Sequence, residues 1–401
     1  MTQAQELARL PFPRDPQDVN GIAPKFRALR SQSPVVRVGT SAGDEAWLVT
    51  RYGEVKQLLN DPRLGRSHAH PERAARVANA AVLTGPLGKP EDEVPTRTRF
   101  RRLLSPAFSA RRVAHLKSGV EELVGQLFDG LEAGPNPGNF HEALSFPLPV
   151  LVICQLLGVP GEDREEFRRL SAGSTSLDDV DAAKAAWAAL NDYMLRLVDV
   201  KRKNPAEDVF SDLVAAQERE GLEDAEIARM ASGILFAGHE TTVTRLDLGT
   251  LLLLTHPEQR AKLQADPQGH VQCAVEEILR MAAPSTQDVL PRYAHEDIQV
   301  GDLTIPEGDL VLLAFTATNR DPDIFSDPNS FDITRDSTQH LAFGHGPRFC
   351  LGSGLARLEL QIVFSTLFER FPGLQLATGL DELQFRDNTL TGGLSALHVR
   401  W

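Results

Sequence analysis

The chain has 401 residues, 42% of them hydrophobic, and only three cysteines: enough to bury a large core, too few for a disulfide framework or a zinc-type ligand set. A formal net charge of −13 argues against general affinity for nucleic acid. The opening Met1-Thr2-Gln3-Ala4-Gln5-Glu6 has neither a basic region nor an apolar run, so neither export nor membrane anchoring is expected, and a reducing, cytoplasmic compartment is the default.

In chain order, Pro34–Gly39 and Glu45–Thr50 read as two strands joined by a turn, followed by a helix over Glu54–Leu59. From Gly65 to Pro95 the sequence lacks periodicity and reads as an irregular connection able to line a pocket or act as a lid. Arg97, Arg99, Arg101, Arg102, Arg111 and Arg112 then form a basic run against the acidic background. Helical spacing dominates from there: Thr98–Leu104, Arg111–Leu131, Val150–Leu157, Asp163–Leu170, Asp181–Lys203, Val209–Glu218, Asp224–Thr255, Pro257–Ala265 and His270–Met281. Beyond Pro284 the pattern changes to short strands, such as Ile298–Val300 and Leu310–Ala314, which imply a second small sheet. A meander through Asn319–Arg335 follows, and a final turn lies at Gly392-Gly393. The β-rich parts are thus about 34–50, 290–316 and 380–401.

Four short motifs carry chemistry. The apolar stretch Ala231–Thr255 is interrupted by His239, Glu240, Arg245 and Asp247, which makes it a long buried helix rather than a membrane span. Within it stands Ala237-Gly238-His239-Glu240-Thr241-Thr242, where a glycine and a back-bonding hydroxyl are expected to loosen the helical ladder. Glu277-Ile278-Leu279-Arg280 places acid and base on one helix face. Arg292-Tyr293-Ala294-His295 opens a strand. Finally, Phe343-Gly344-His345-Gly346-Pro347-Arg348-Phe349-Cys350-Leu351-Gly352 sets a cysteine in a glycine-rich loop that runs into a helical pattern from Leu355 to Phe368. Gly346 and Gly352 permit close backbone approach to a flat group, and a helix N-terminus favours a thiolate. Cys154 and Cys273 sit in apolar or helical contexts and read as core packing.

The Phe-x-x-Gly-x-Arg-x-Cys-x-Gly pattern, with the other motifs in order along nearly the whole chain, resembles the cytochrome P450 family, in particular soluble bacterial monooxygenases of actinomycete secondary metabolism. That resemblance implies one mainly helical domain, 1–401, with small β-sheets, and haem b between a distal long helix and the proximal cysteine loop. It implies Cys350 as iron ligand, with Phe343, Gly344, Gly352, Ala356, Ala237 and Gly238 against the haem. Arg97, Arg101, Arg292 and Arg348 would meet the propionates; Arg97 stands where relatives usually carry histidine. Thr241 would hydrogen-bond the oxygen species on the iron, and Glu240 would carry protons inward. Glu277, Arg280 and Arg335 form a structural charge network, although many relatives place its last arginine where Ser330 stands.

Met230, Ile234, Ala237, Val289, Leu290 and Thr391 are expected to line a substrate pocket. The implied reaction inserts one atom of O2 into a C–H bond or alkene of a natural product. Electrons would come from NAD(P)H through a ferredoxin and its reductase, docking around Arg102, Arg111 and Arg112. Ring formation or oxidative coupling is an alternative; a peroxide-driven enzyme fits less well because of the Glu240-Thr241 pair. A non-catalytic haem sensor is the reading from another class. A monomer with no membrane or nucleic-acid partner is expected.

Overall fold

A computed structural model describes residues 7–15, 18, 21–78, 85–173, 180–283, 291–386 and 392–401. Its helices are α1 (Pro24–Gln32), α2 (Tyr52–Asn60), α3 (Pro90–Leu104), α4 (Ala110–Ala133), α5 (Pro147–Leu157), α6 (Arg164–Gly173), α7 (Val180–Lys203), α8 (Val209–Glu220), α9 (Asp224–Thr255), α10 (Pro257–Ala265), α11 (Pro267–Met281), α12 (Phe315–Thr318) and α13 (Ser353–Arg370). Its strands are β1 (Val35–Gly39), β2 (Glu45–Val49), β3 (Leu64–Gly65), β4 (Gly138–Asn139), β5 (Pro291–Ala294), β6 (Ile298–Val300), β7 (Leu303–Ile305), β8 (Leu310–Leu313), β9 (Gln375–Leu376) and β10 (His398–Arg400). The chain divides into two compact units, one of residues 1–98 and 276–350, the other of 99–275 and 351–401. Among the described residues no helix is long and apolar enough to cross a membrane.

The first unit is organised by a five-stranded sheet in the order β1-β2-β8-β5-β3. β1 and β2 form the expected hairpin, but β2 also pairs in parallel with β8, with Trp47 opposite Val311. The two separate sheets anticipated from sequence are therefore one, and in this unit β6 and β7 stand apart as a hairpin. The central strand explains why. Leu310-Val311-Leu312-Leu313 is buried at every position, the pattern of a strand covered on both faces. Period-2 alternation sends Leu310 and Leu312 into a core with Phe12, Phe26 and Leu29, and Val311 and Leu313 into a second core with Val55, Leu58 and Phe325. Each such side chain contributes roughly 1.5–3 kcal/mol on burial.

Three helical features differ from expectation. α1 and the short α12 lie where no helix was read. α3 begins at Pro90 rather than near Thr98, so the irregular connection ends earlier. Pro90 opens the helix and Glu91, Asp92 and Glu93 fill its first turn, both favourable at a helix start; Pro95, inside the helix, disguised it.

Among the described residues the second unit is helical apart from the small sheet β4-β10-β9 and an antiparallel bridge between Phe385 and Leu394. α9 is its axis, packed by α5 and α7 and buried on most sides from Ile227 to Leu253. α5 ends at Gly158 in the left-handed region (φ 77°), which lets its amide reach back to the Cys154 and Gln155 carbonyls.

Candidate functional site

The cysteine loop belongs to the first unit and is built by turns. The amide of Gly344 donates to Leu341 O, that of Phe349 to Gly346 O, and that of Cys350 to Phe343 O. Gly344 (φ 72°) and Gly346 (φ 63°) occupy the left-handed region, and a Cβ on Gly346 would lie 2.2 Å from Asn60 Oδ1 of α2. The loop thus presents Cys350 exposed, with the half-buried Phe343 ring edge-on to Phe349. Gly352 is the N-cap of α13 and accepts the Ala356 amide. Cys154 is the opposite case: burial pushes its thiol up to about 12, which leaves it inert. Cys273 is exposed, contrary to the core role expected for it, because α11 turns Val271, Ala274 and Val275 inward instead.

A cluster of guanidinium groups gathers in the same unit. Arg348 donates to Glu93 Oε1 at 2.7 Å, Arg97 lies 3.7 Å from the same oxygen, and the amides of Arg66 and Ser67 donate to Oε2. Burial raises the Glu93 carboxyl, but hydrogen bonds from Ser67, Arg348 and Arg66 outweigh it and hold the group at about 2. Arg292 is buried beside them; burial, then repulsion from Arg66 and Arg348, brings its guanidinium down to about 9 against the pull of Glu93. Gly65 permits this packing, since a Cβ there would lie 2.2 Å from His295 and 2.4 Å from Glu93. Of the predicted propionate arginines the structure brings together Arg97, Arg292 and Arg348; Arg101 lies one turn beyond Arg97 on α3, in the second unit. Glu93, Arg66 and Ser67 escaped the sequence reading, although Glu93 stands four residues before Arg97. A cationic cluster of this kind fits a group carrying two carboxylates, and an exposed thiol in a glycine loop fits an iron ligand, so the residues present suit haem.

Glu277 and Arg280 are fully buried and form a two-bond ion pair, with Nε to Oε2 and Nη2 to Oε1 both at 2.7 Å. Glu277 also accepts from Ser337 Oγ and the Asp332 amide, and Arg335 Nε reaches it at 3.4 Å. Arg280 donates to the carbonyls of Asn319, Pro328 and Ser330. The pair thus pins the meander by its backbone; Arg335, the expected third member of the network, is the side chain that reaches Glu277, and Ser330 contributes its carbonyl.

In the second unit α9 displays Thr241 and Ala237 on an exposed face, while Glu240 and His239 are buried. Thr241 Oγ1 donates to Ala237 O at 2.8 Å. The ladder is not broken there: α9 is continuous, and Gly238 serves packing instead, since a Cβ there would lie 2.7 Å from Ile153 Cδ1 of α5. Met230 and Ile234, three and two turns before Thr241, are buried, so the open face centres on Ala237 and Thr241. Glu240 does not pair as a surface carboxylate; its Oε2 lies 3.3 Å from Nη2 of Arg386, which the sequence reading missed. His239 donates to Phe146 O, and burial brings its imidazole down to about 4. A buried His141–Asp247 pair at 2.7 Å follows further along. Val289, Leu290 and Thr391 lie outside the described residues.

The basic run is largely tied down within the second unit. Arg99 pairs with Glu226, Arg102 with Glu220 and Arg112 with Asp212; Arg111 is exposed. Two of the three arginines assigned to a donor dock therefore already carry acidic partners.

The family model described as cytochrome P450 matches residues 178–382. A pentalenolactone synthase of Streptomyces exfoliatus is 44% identical, over 98% of this chain and 99% of its own length. Among solved structures, a putative thioether synthase of the tailoring step of griseoviridin superposes with a TM-score of 0.90 at 36% identity, covering 99% of this chain and all of that one. A polyene macrolide antibiotic pimaricin epoxidase, itself a cytochrome P450, does so with a TM-score of 0.89 at 38% identity and the same coverage.

Proposed function

The chain belongs to the cytochrome P450 family, and from that premise we propose that it inserts one atom of O2 into a C–H bond or alkene of a natural product, using electrons from a ferredoxin. Membership makes it an oxygen-incorporating oxidoreductase that carries haem b, takes O2 as co-substrate and draws electrons from NAD(P)H through redox-partner proteins. Bound haem supplies iron-centred activation of dioxygen. Cys350 would hold the iron as thiolate, and Arg97, Arg292 and Arg348 would receive the propionates, with Glu93 fixing the cradle in advance.

The observation that carries the monooxygenase reading is the contrast on one turn of α9 between a buried Glu240 and an exposed Thr241. Thr241 Oγ1 spends its proton on Ala237 O and keeps its lone pairs for an incoming donor. Glu240 Oε2 holds a proton-accepting position beside Arg386, and the two residues point to different sides of the helix. A proton therefore passes from Glu240 to Thr241 through water rather than directly.

The substrate class is supported by the relatives named for pentalenolactone and pimaricin, and the epoxidase among them favours alkene as well as C–H targets. The similarity to a putative thioether synthase keeps bond-forming oxidation as a second reading. We place the protein in the cytoplasm, as a monomer. The test begins with the reduced carbon monoxide complex: a red-shifted Soret band is expected in the wild type and its loss in Cys350→Ala. A histidine-type spectrum in the wild type overturns the assignment. Candidate natural products are then screened for a spin-state shift of the haem spectrum.

A further inference from the structure

Glu276 and Glu277 are neighbours on α11, yet they hold different parts of the chain: Glu277 serves Arg280 and the meander, whereas Glu276 Oε2 lies 3.1 Å from Nε2 of His340. Both Glu276 and His340 are buried. The amide of Ala342 donates to Nδ1 of the same imidazole at 3.2 Å, so Nδ1 carries no proton and Nε2 is the nitrogen that donates to the carboxylate. One ring therefore links α11 to the backbone leading into the cysteine loop. A buried carboxylate needs a donor for its own sake, but that need does not require the ring to accept the amide two residues on.

Residues 339–344 are pinned one after another. Tyr52 Oη of α2 donates to Gln339 O, the amide of His340 to Ser337 O, that of Leu341 to Asn319 Oδ1 at 2.7 Å, and that of Gly344 to Leu341 O. The His340 ring packs against Phe343 with its centroid 5.9 Å away. Phe343 O in turn accepts the Cys350 amide at 2.9 Å. Side chains from α2, α11 and the end of α12 thus converge on one run of backbone, and that run holds the cysteine.

We propose that His340, tethered by Glu276, is a positioning residue for the iron ligand: it fixes the backbone at Ala342 and Phe343, and with it the carbonyl that holds the Cys350 amide. The inference rests on the reading of Cys350 as the haem ligand. In this role neither His340 nor Glu276 touches substrate or cofactor. How strongly a thiolate donates to iron depends on the N–H groups and the water that reach its sulfur, and a loop free to shift admits more of both. The imidazole keeps the surroundings of the sulfur constant, and Glu276 keeps the imidazole in place.

The test uses the haem-loaded protein and variants that divide the two functions of the ring. His340→Asn keeps an acceptor for the Ala342 amide and loses Glu276; His340→Gln reaches Glu276 with its amide and loses the acceptor. Deuterium exchange at the Cys350 amide, resolved by fragmentation mass spectrometry, should quicken roughly tenfold in His340→Ala and His340→Gln, and much less in His340→Asn. Glu276→Leu, which removes the tether and leaves the ring, should give a smaller change of the same sign. The reduction potential of the iron should rise in the same order, and the reduced carbon monoxide complex of His340→Ala should lose part of its red-shifted band.

Unchanged exchange and potential in His340→Ala overturn the proposal, even where the melting temperature falls, because the pair then serves stability alone. If His340→Ala does not fold, the other two variants decide: equal exchange in His340→Asn and His340→Gln overturns the proposal. A histidine-type spectrum in the wild type, with the exchange order as expected, overturns the ligand reading and upholds the positioning of Cys350. A red-shifted band with exchange the same in every variant overturns the positioning alone.

Discussion

At the scale of single residues, what the sequence could show was chemistry with a local signature. Cys350 stands out as a candidate because glycines, proline and arginine surround it within ten residues, and Thr241 because its neighbours form a motif. Glu93 and Arg386 do not, because their importance comes from partners far along the chain, Arg348 in one case and Glu240 in the other. Replacing Thr241 by alanine removes the hydroxyl but not its place on α9, so the variant should still consume reducing equivalents while releasing more peroxide per product, by roughly tenfold. Unchanged coupling would remove Thr241 from the mechanism. Glu359 on α13 supplies a test of burial itself. It is fully enclosed, and desolvation pushes its carboxyl from 4.5 to about 8. Between those values the folded state binds the proton that the unfolded state has released, so stability falls as pH rises through the window and levels off above it. Thermal unfolding midpoints should decline from about pH 5 to about pH 8, and Glu359→Gln should flatten that slope.

At the scale of elements, helices with an apolar stripe were read well: α9 and α10 have the bounds their spacing implied. The strands were read individually but not in their pairing, because a parallel partner such as β8 for β2 leaves no mark in either segment. The Glu277–Arg280 pair acts at this scale, since it ties α11 to the meander before the cysteine loop. Glu277→Gln leaves Arg280 buried without its carboxylate and should cost roughly 3–5 kcal/mol, seen as a lowered midpoint and reduced haem retention. Arg335→Ala, acting on a longer contact at 3.4 Å, should cost clearly less. Gly346→Ala tests the loop's seat on α2. It forces a side chain into the left-handed region and against Asn60, and loss of the Soret signal of thiolate ligation is the expected result.

At the scale of the whole molecule, a net charge of −13 repels an acidic electron donor unless a local cation offers it a place. With Arg102 and Arg112 paired, Arg111 is the member of the predicted dock best placed to do so. Arg111→Glu should slow ferredoxin-driven reduction several-fold while leaving chemical reduction by dithionite unchanged; equal rates would move the dock elsewhere. The central sheet has a different consequence, for synthesis on the ribosome. The β2 indole of Trp47 bonds Asp309, 262 positions later, and β2 gains its parallel neighbour only when β8 has emerged. At about 5–20 residues per second the N-terminal hairpin waits on the order of 13–50 s, long enough for the contiguous helices of residues 99–275 to form first. The nascent chain should therefore acquire protease resistance in its middle before its beginning, and the exposed β2 edge should make that interval the one in which a chaperone matters most.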